Sequence, residues 1–345
     1  MVLIYKCPNC GGNMTFDPEK QLLHCDYCGN ESKVEDVEVE EKDEQEESSE
    51  ALEHTKVYEC PNCGAEIVTD EYTAATYCAY CGTATILSDR LSNLIKPESV
   101  IPFKYDRDNA LDKIKKWCHG GLFTPGDFLN ANNIQKLSGI YVPFWLYDFK
   151  VNADVEANCT KVRSYTRGDY RYTETSHYIA RRNIDAEFNR IPLDSSIKMD
   201  DELMAKLEPF NYNDLKPFEM GYLSGYMAEK FNYASEDLRG KAENQAKDGG
   251  YSIARDDMSG YSTVSVTHRA ERADSTKTEY SLLPVWLYKY TYKGKEYVFA
   301  MNGQTGKIAG RPPIHKTKAA IVLLTLFVAM LSIVYIAVCL MGGGL

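Results

Sequence analysis

Residues 7–29 read CPNCGGNMTFDPEKQLLHCDYCG and residues 60–82 read CPNCGAEIVTDEYTAATYCAYCG, one pattern written twice at an offset of 53 positions. Each copy holds two C-x-x-C pairs with 14 residues between the inner cysteines. Each such knuckle offers two sulfurs from a single turn, and the loop between knuckles brings the pairs together into a tetrahedron. A segment of about 25 residues cannot bury a sufficient core, so a metal ion has to stabilise it. With sulfur at all four corners no position stays open for water or substrate, and both sites read as structural. Zinc is preferred over an iron centre or redox dithiols. The ligands are Cys7, Cys10, Cys25 and Cys28 in one site and Cys60, Cys63, Cys78 and Cys81 in the other. His24 is an alternative ligand beside Cys25, but an outer-shell or surface position suits it better. The glycine closing each pair permits a positive-φ turn, and the Thr, Tyr, Val and Leu between knuckles suggest short antiparallel strands.

These eight cysteines are most of the eleven in the chain; Cys118, Cys159 and Cys339 are scattered. That distribution fits metal binding in a reducing compartment and not a disulfide framework. The start, MVLIYKCPNC, has no basic n-region and no cleavage site, so no signal peptide is expected. Residues 31–53 carry twelve acids against two lysines, a local charge of −10 out of a total of −11. This tract reads as a flexible, self-repelling spacer that leaves the two ribbons independent.

Zinc ribbons often bind nucleic acid, and charge weighs against that here. Residues 57–88 contain four acids and no Lys or Arg, and residues 1–30 contain three acids and two lysines. A surface of this sign repels phosphates, so protein contact is the better default. The exposed candidates for contact are Asn9, Tyr27, Asn62 and Tyr80 at the knuckle tips.

Beyond a connector at 88–102 lies a mixed domain with a net charge of +3 over residues 89–318. Helices are expected over 107–119, capped by Asp106 and ended by Gly120-Gly121, near 200–207, and from Ser235 to about Lys247. Alternating β-branched and aromatic residues suggest strands at 140–157, 171–182, 261–272, 284–293 and 296–301, and Asn302-Gly303-Gln304-Thr305-Gly306 is a hairpin turn. VPFWLY at 142–147 is echoed by LPVWLY at 283–288, a hint of two similar β units. The turn followed by Lys307-Ile308 departs from the phosphate-loop pattern in both glycine spacing and the missing hydroxyl. No serine-elbow, zincin or kinase pattern occurs, so no enzyme is expected. The tyrosines read as cross-strand packing, and Arg163, Arg167, Arg171, Arg181, Arg182 and Arg190 as a solvated face or a dock for anionic groups.

Residues 319–341 form 23 uncharged, apolar positions, roughly 35 Å of helix and enough to cross a bilayer. Lys307, Arg311, Lys316 and Lys318 precede this run and no charge follows it, which places the bulk of the chain in the cytoplasm.

The paired CPNCG and CxYCG ribbons, PFWLYD, and PVWLYKYTYKGKEYVFAMNGQTGKIAG ahead of one terminal span resemble the bacterial membrane-anchored double zinc-ribbon proteins of the YdjG type. Members are also labelled TFIIB-type zinc-ribbon or PriA-like, although this chain lacks a Walker A motif and every other helicase element. The resemblance implies a cytoplasmic, membrane-tethered partner of SPFH (flotillin-like) proteins in the envelope stress response, and not an enzyme.

The expected architecture is α+β: rubredoxin-like zinc ribbons at 1–30 and 57–88 flanking an acidic linker at 31–56, a domain with antiparallel sheet at 100–312, and a transmembrane helix at 319–341. The expected role is a membrane-anchored adaptor with two structural Zn2+ ions. The competing reading is a nucleic-acid-associated zinc-ribbon protein tethered to the membrane.

Overall fold

The computed structural model describes residues 2–37, 39–42, 55–92, 96–121, 123–125, 128 and 137–342. The first cysteine module comprises β1 (Val2–Tyr5), β2 (Met14–Asp17), β3 (Leu22–Cys25) and β4 (Glu31–Ser32), then a 3-10 turn at Val34–Asp36 and β5 (Val39–Lys42). The second comprises β6 (Thr55–Glu59), β7 (Glu66–Asp70), β8 (Thr73–Tyr77), β9 (Ala84–Leu87) and the short helix α1 (Ser88–Ser92). The body follows with β10 (Ser99–Val100), α2 (Arg107–Gly120), β11 (Leu137–Arg167), β12 (Tyr170–Asp194), α3 (Asp201–Leu207), β13 (Lys216–Pro217), β14 (Met227–Glu229) and α4 (Ser235–Asp256). It closes with β15 (Thr263–Tyr292), β16 (Lys295–Asn302), β17 (Ile308–Gly310) and α5 (Lys316–Gly342). The class is mixed α+β.

Three strands dominate. The 31-residue β11 lies between β12 and β15, antiparallel to both. At about 3.3 Å per residue it is roughly 100 Å of extended chain. The strands expected at 261–272 and 284–293 are parts of one element, β15, because the run between them contains no glycine or proline and stays paired to β11 across two register shifts. From Phe149 to Cys159, β11 alternates buried and exposed positions, so only one face is covered there. Between Gly139 and Tyr147 every position is buried, since both faces of the sheet carry cores. A near-continuous apolar run is what two covered faces require.

The WLY echo has a structural meaning. Val142 pairs with Leu283, its own counterpart in the repeat, and the two motifs run antiparallel about that point. Trp145 Nε1 donates to Tyr233 O at 2.9 Å and Trp286 Nε1 to Tyr105 O at 3.0 Å, so the equivalent indoles are satisfied in the same manner.

Helix α2 begins where Asp106 accepts from Asn109 N at 2.7 Å. Helix α4 runs well past Lys247 through Gly249 and Gly250. A Cβ on Gly250 would lie 2.8 Å from Val151 Cγ1, and one on Gly249 would lie 2.6 Å from the Phe188 ring. With Ala242, Ala246 and Ala254 also buried, these small residues let the helix lie close against β11 and β12. Packing overrides the low helix propensity of the glycine pair. The NGQTG turn forms as expected, with Gly306 at φ +74° and its N–H donating to Asn302 O at 2.9 Å.

The expectation of independent ribbons on a flexible spacer is corrected. The main sheet runs β13-β10-β15-β11-β14-β8-β9-β1-β5, so strands of both ribbons extend the sheet of the body. Val2 and Leu3 of β1 pair with Leu87 and Ile86 of β9, and β8 pairs with β14. Residues 31–37 and 39–42, within the supposed spacer, include β4 and β5, and Val34 and Val37 are buried. The physical cause is the apolar VLIY stretch, buried at all four positions, together with valines spaced among the acids. Residues 43–54 of the acidic tract lie outside the described residues.

Helix α5 is apolar, with a mean hydropathy of 2.7 within Lys316–Ala337, where the side chains are uncovered by the rest of the protein. Its 27 residues span about 40 Å, long enough to cross a membrane.

Candidate metal centres

All four knuckles close with the same hydrogen bond. Gly11, Gly29, Gly64 and Gly82 donate from N–H to the carbonyls of Cys7, Cys25, Cys60 and Cys78 at 2.8–2.9 Å. Each of these glycines sits between φ +71° and +74°, the left-handed region where a side chain is strained. Gly12 is required for another reason: a Cβ there would lie 2.8 Å from the Tyr27 ring and 3.3 Å from the sulfurs of Cys10 and Cys25.

The turns converge the sulfurs. Within each quartet, Cys7, Cys10, Cys25, Cys28 and Cys60, Cys63, Cys78, Cys81, all four Sγ atoms lie within 4.8 Å of one another. Individual edges are 3.6 Å for Cys7–Cys28, 3.5 Å for Cys10–Cys25, and 3.7 Å for both Cys60–Cys81 and Cys63–Cys78. A tetrahedron of zinc–sulfur bonds of about 2.3 Å has edges of about 3.8 Å. The donor set and its size therefore fit one thiolate-bound ion in each quartet. The two quartets are the only metal-suited groups of three or more His, Cys, Asp and Glu among the described residues.

The thiols titrate against one another. Desolvation pushes the Cys7 thiol up, but the N–H groups of Asn9 and Cys10 and hydrogen bonds with Cys28 and Cys10 together bring it down to about 6. The Gly12 N–H favours the Cys10 thiolate, yet hydrogen bonds with Cys28 and Cys25 and burial drive it up to about 12. In the second quartet the Thr83 hydroxyl leads in pulling Cys81 down to about 6. Thiolates this close repel, and a divalent cation is the group that lets all four lose their protons.

The first cysteine of every pair is buried and the second is exposed, so each centre has an inner edge on the core and an outer edge at the surface. Tyr27 and Tyr80 stand at the outer edge, 83% and 79% exposed. Asn9 and Asn62 serve the metal sites instead: Asn9 Nδ2 donates to Cys28 Sγ at 3.8 Å, and the Asn62 amide hydrogen-bonds Cys81. Shells of this kind orient ligands and tune the metal. The shared Cys-Pro-Asn-Cys spelling carried that signal. His24 is outside the quartet, with Asp26 at 3.8 Å and Glu31 at 3.9 Å. Thr83 was missed by sequence reasoning; it lies 3.2 Å from Cys81 Sγ and accepts from Asn13 Nδ2 of the other ribbon at 3.4 Å. Only the pairing of β1 with β9 brings Asn13 there.

The six arginines form no single patch. Arg163, Arg167 and Arg171 are exposed around the β11–β12 turn, Arg181 pairs with Glu156 at 2.6 Å, Arg182 bonds Asp257, and Arg190 donates to Tyr212 O at 2.7 Å. Cys118 and Cys159 are buried singly.

No family model and no solved structure matches the chain. It is 42% identical to YdjG of Bacillus subtilis (strain 168), a protein described as uncharacterized, over 320 residues that cover 93% of each chain. With that identity over nearly the whole length of both chains, the chain belongs to the YdjG family.

Proposed function

We propose that the chain is a non-catalytic adaptor, held at the cytoplasmic face of the cell membrane by α5, whose ribbons recruit a protein partner. The observation that carries this reading is the joint occurrence of two closed sulfur quartets, built into the sheet of the body, and one uncovered apolar helix at the far end. Four-sulfur sites with no open position stabilise structure and do not activate substrate. Zn2+ is the ion proposed for both, since a tetrahedral all-thiolate set suits it in a reducing compartment. The outward Tyr27 and Tyr80 supply rigid aromatic anchors of the kind that dominate protein interfaces. Cations just before α5 and in its first turn support a cytoplasmic body. The acidic ribbons favour a protein over nucleic acid. An SPFH (flotillin-like) partner in the envelope stress response is the choice suggested by the family resemblance.

Affinity capture of the full chain from detergent-solubilised membranes, read by mass spectrometry, tests the proposal. Wild type is expected to retain an SPFH protein, and the Tyr27→Ala/Tyr80→Ala variant to retain several-fold less with unchanged zinc. Capture without any SPFH protein would remove that partner, and equal capture by the variant would remove the ribbons as the contact. Sequence-specific binding of DNA or RNA at physiological salt would replace the adaptor reading.

A further inference from the structure

Strand β12 leaves a long edge open. It pairs with β11 on one side and with no other strand among the described residues, and from Tyr170 to Ile179 every position except half-buried Ser176 is exposed. Unpaired backbone groups on such an edge template pairing with another chain, so proteins usually blunt them with proline, bulges or charge. Here residues 170–191 contain no Gly or Pro, and residues 173–180 carry one formal charge, Glu174. The ladder to β11 runs without a shift from Tyr170 to Phe188. Tyr172, Tyr178 and Ile179 stand exposed along this stretch.

The two-residue turn Gly168-Asp169 makes Arg167 and Tyr170 a hydrogen-bonded pair, so even-numbered residues of β12 bond to β11 and the N–H and C=O groups of odd-numbered residues point outward. The other side of β11 agrees with this phase: Val162 N donates to Ser262 Oγ at 2.9 Å, and Thr160 O accepts from Ser262 N at 2.7 Å. An antiparallel second copy keeps corresponding faces together only when residues of like parity meet. Centring the pair on Tyr178 meets that condition over residues 171–185 of each copy, a ladder of roughly 50 Å. Asp185 then faces Arg171 of the second copy, Ile184 faces its Tyr172, and Ile179 faces its His177. Arg182, which also bonds Asp257 of its own chain, faces Glu174. Symmetry makes each of these contacts twice. Moving the centre back one residue sets Asp185 against Asp169, and moving it forward one sets Arg181 against His177 and Glu174 against Ile184. Charge therefore favours the Tyr178 register.

We propose that the β12 edge binds a second copy of this chain, the two β12 strands pairing antiparallel about Tyr178 into one continuous sheet with both α4 helices on the same face. Outward N–H and C=O groups of the odd-numbered residues supply the main-chain hydrogen bonds, and the paired side chains set the register. The exposed side chains of Tyr172, Tyr178 and Ile179 become covered in the pair.

The test is light scattering on the full chain in non-ionic detergent over a concentration series. Wild type is expected to dimerise. Arg171→Asp and Asp185→Arg are each expected to weaken self-association about ten-fold, since either change removes two opposite-charge pairs and sets like charges together. Both changes in one chain exchange the charges and are expected to restore the dimer, an outcome that separate local damage at two exposed sites would not give. Ile179→Pro removes an outward N–H where an edge strand tolerates proline, and it is expected to leave monomer with an unaltered tryptophan thermal transition. A wild type that stays monomeric, a dimer that none of these changes weakens, or a double variant as weak as the single ones would overturn the proposal.

Discussion

Replacing Phe16 with Ala tests whether the first ribbon is part of the body. Phe16 is 4% exposed, packs edge-to-face on Tyr222 with ring centroids 5.2 Å apart, and its N–H donates to Ser224 O at 2.9 Å. Truncating a buried phenylalanine costs about 3–5 kcal/mol, and the lost aromatic pair contributes about 0.5–1.5 kcal/mol of that. For a folded unit of this size each kcal/mol lowers Tm by about 2–4 °C, so the expected drop is roughly 6–20 °C. All three tryptophans, Trp117, Trp145 and Trp286, lie in the body and none in a ribbon. Intrinsic tryptophan fluorescence of the full chain in detergent, followed through a thermal ramp, therefore reports the body alone, while a chromogenic chelator reports zinc release. Both transitions are expected to fall together in Phe16→Ala. An unchanged tryptophan transition with earlier zinc release would mean that the ribbon unfolds by itself, and the shared core would not be coupling the two.

Metal analysis of chain purified without chelator is expected to return two zinc ions, and Cys10→Ser one tightly held ion, because the second quartet has its own four sulfurs; iron, or less than one zinc in wild type, would reject the assignment. Gly250→Leu forces side-chain atoms into the space held by Val151, which should cost about 1–3 kcal/mol and raise amide exchange along α4, and wild-type exchange there would show that the helix does not need the close approach. Burial pushes the Asp194 carboxyl up from 3.8 to about 7, with Asp201 and Glu229 adding to it against the Ser196 N–H. The folded state then holds a proton that the unfolded state releases, so stability contributed by the neutral acid is complete below pH 3.8 and is lost as pH rises toward 7. Asp194→Asn should flatten that part of the stability profile and stabilise the protein above pH 7, as measured by denaturant midpoints across pH; an unaltered profile would show that Asp194 is ionised without cost.

The cysteine spelling alone was enough to sort the eight cysteines into the two quartets that the fold gathers, since two-residue knuckle spacing, a following glycine and a repeat at constant offset leave few other ways to bring four thiols together. Local chemistry likewise determined the Asp106 cap, the NGQTG turn and the apolar run of α5, all features whose energies lie within a few neighbouring residues. Distant partners decided the rest. Alternation along 140–157 indicated strand, but the merging of two expected strands into β15 depends on β11 supplying hydrogen-bond partners along its whole length. The helix expected to stop near Lys247 continues through Gly249 and Gly250 because Val151 and Phe188 lie beneath them. The acids of residues 31–42 suggested a spacer, yet two valines and a β1 edge outweigh that charge, because burial depends on what surface is nearby and not on composition. Asn13 reaches Thr83 through a chain crossing that no local pattern encodes. Spacing within a turn is written in the sequence; which surfaces meet across the sheet is settled only when the long strands pair.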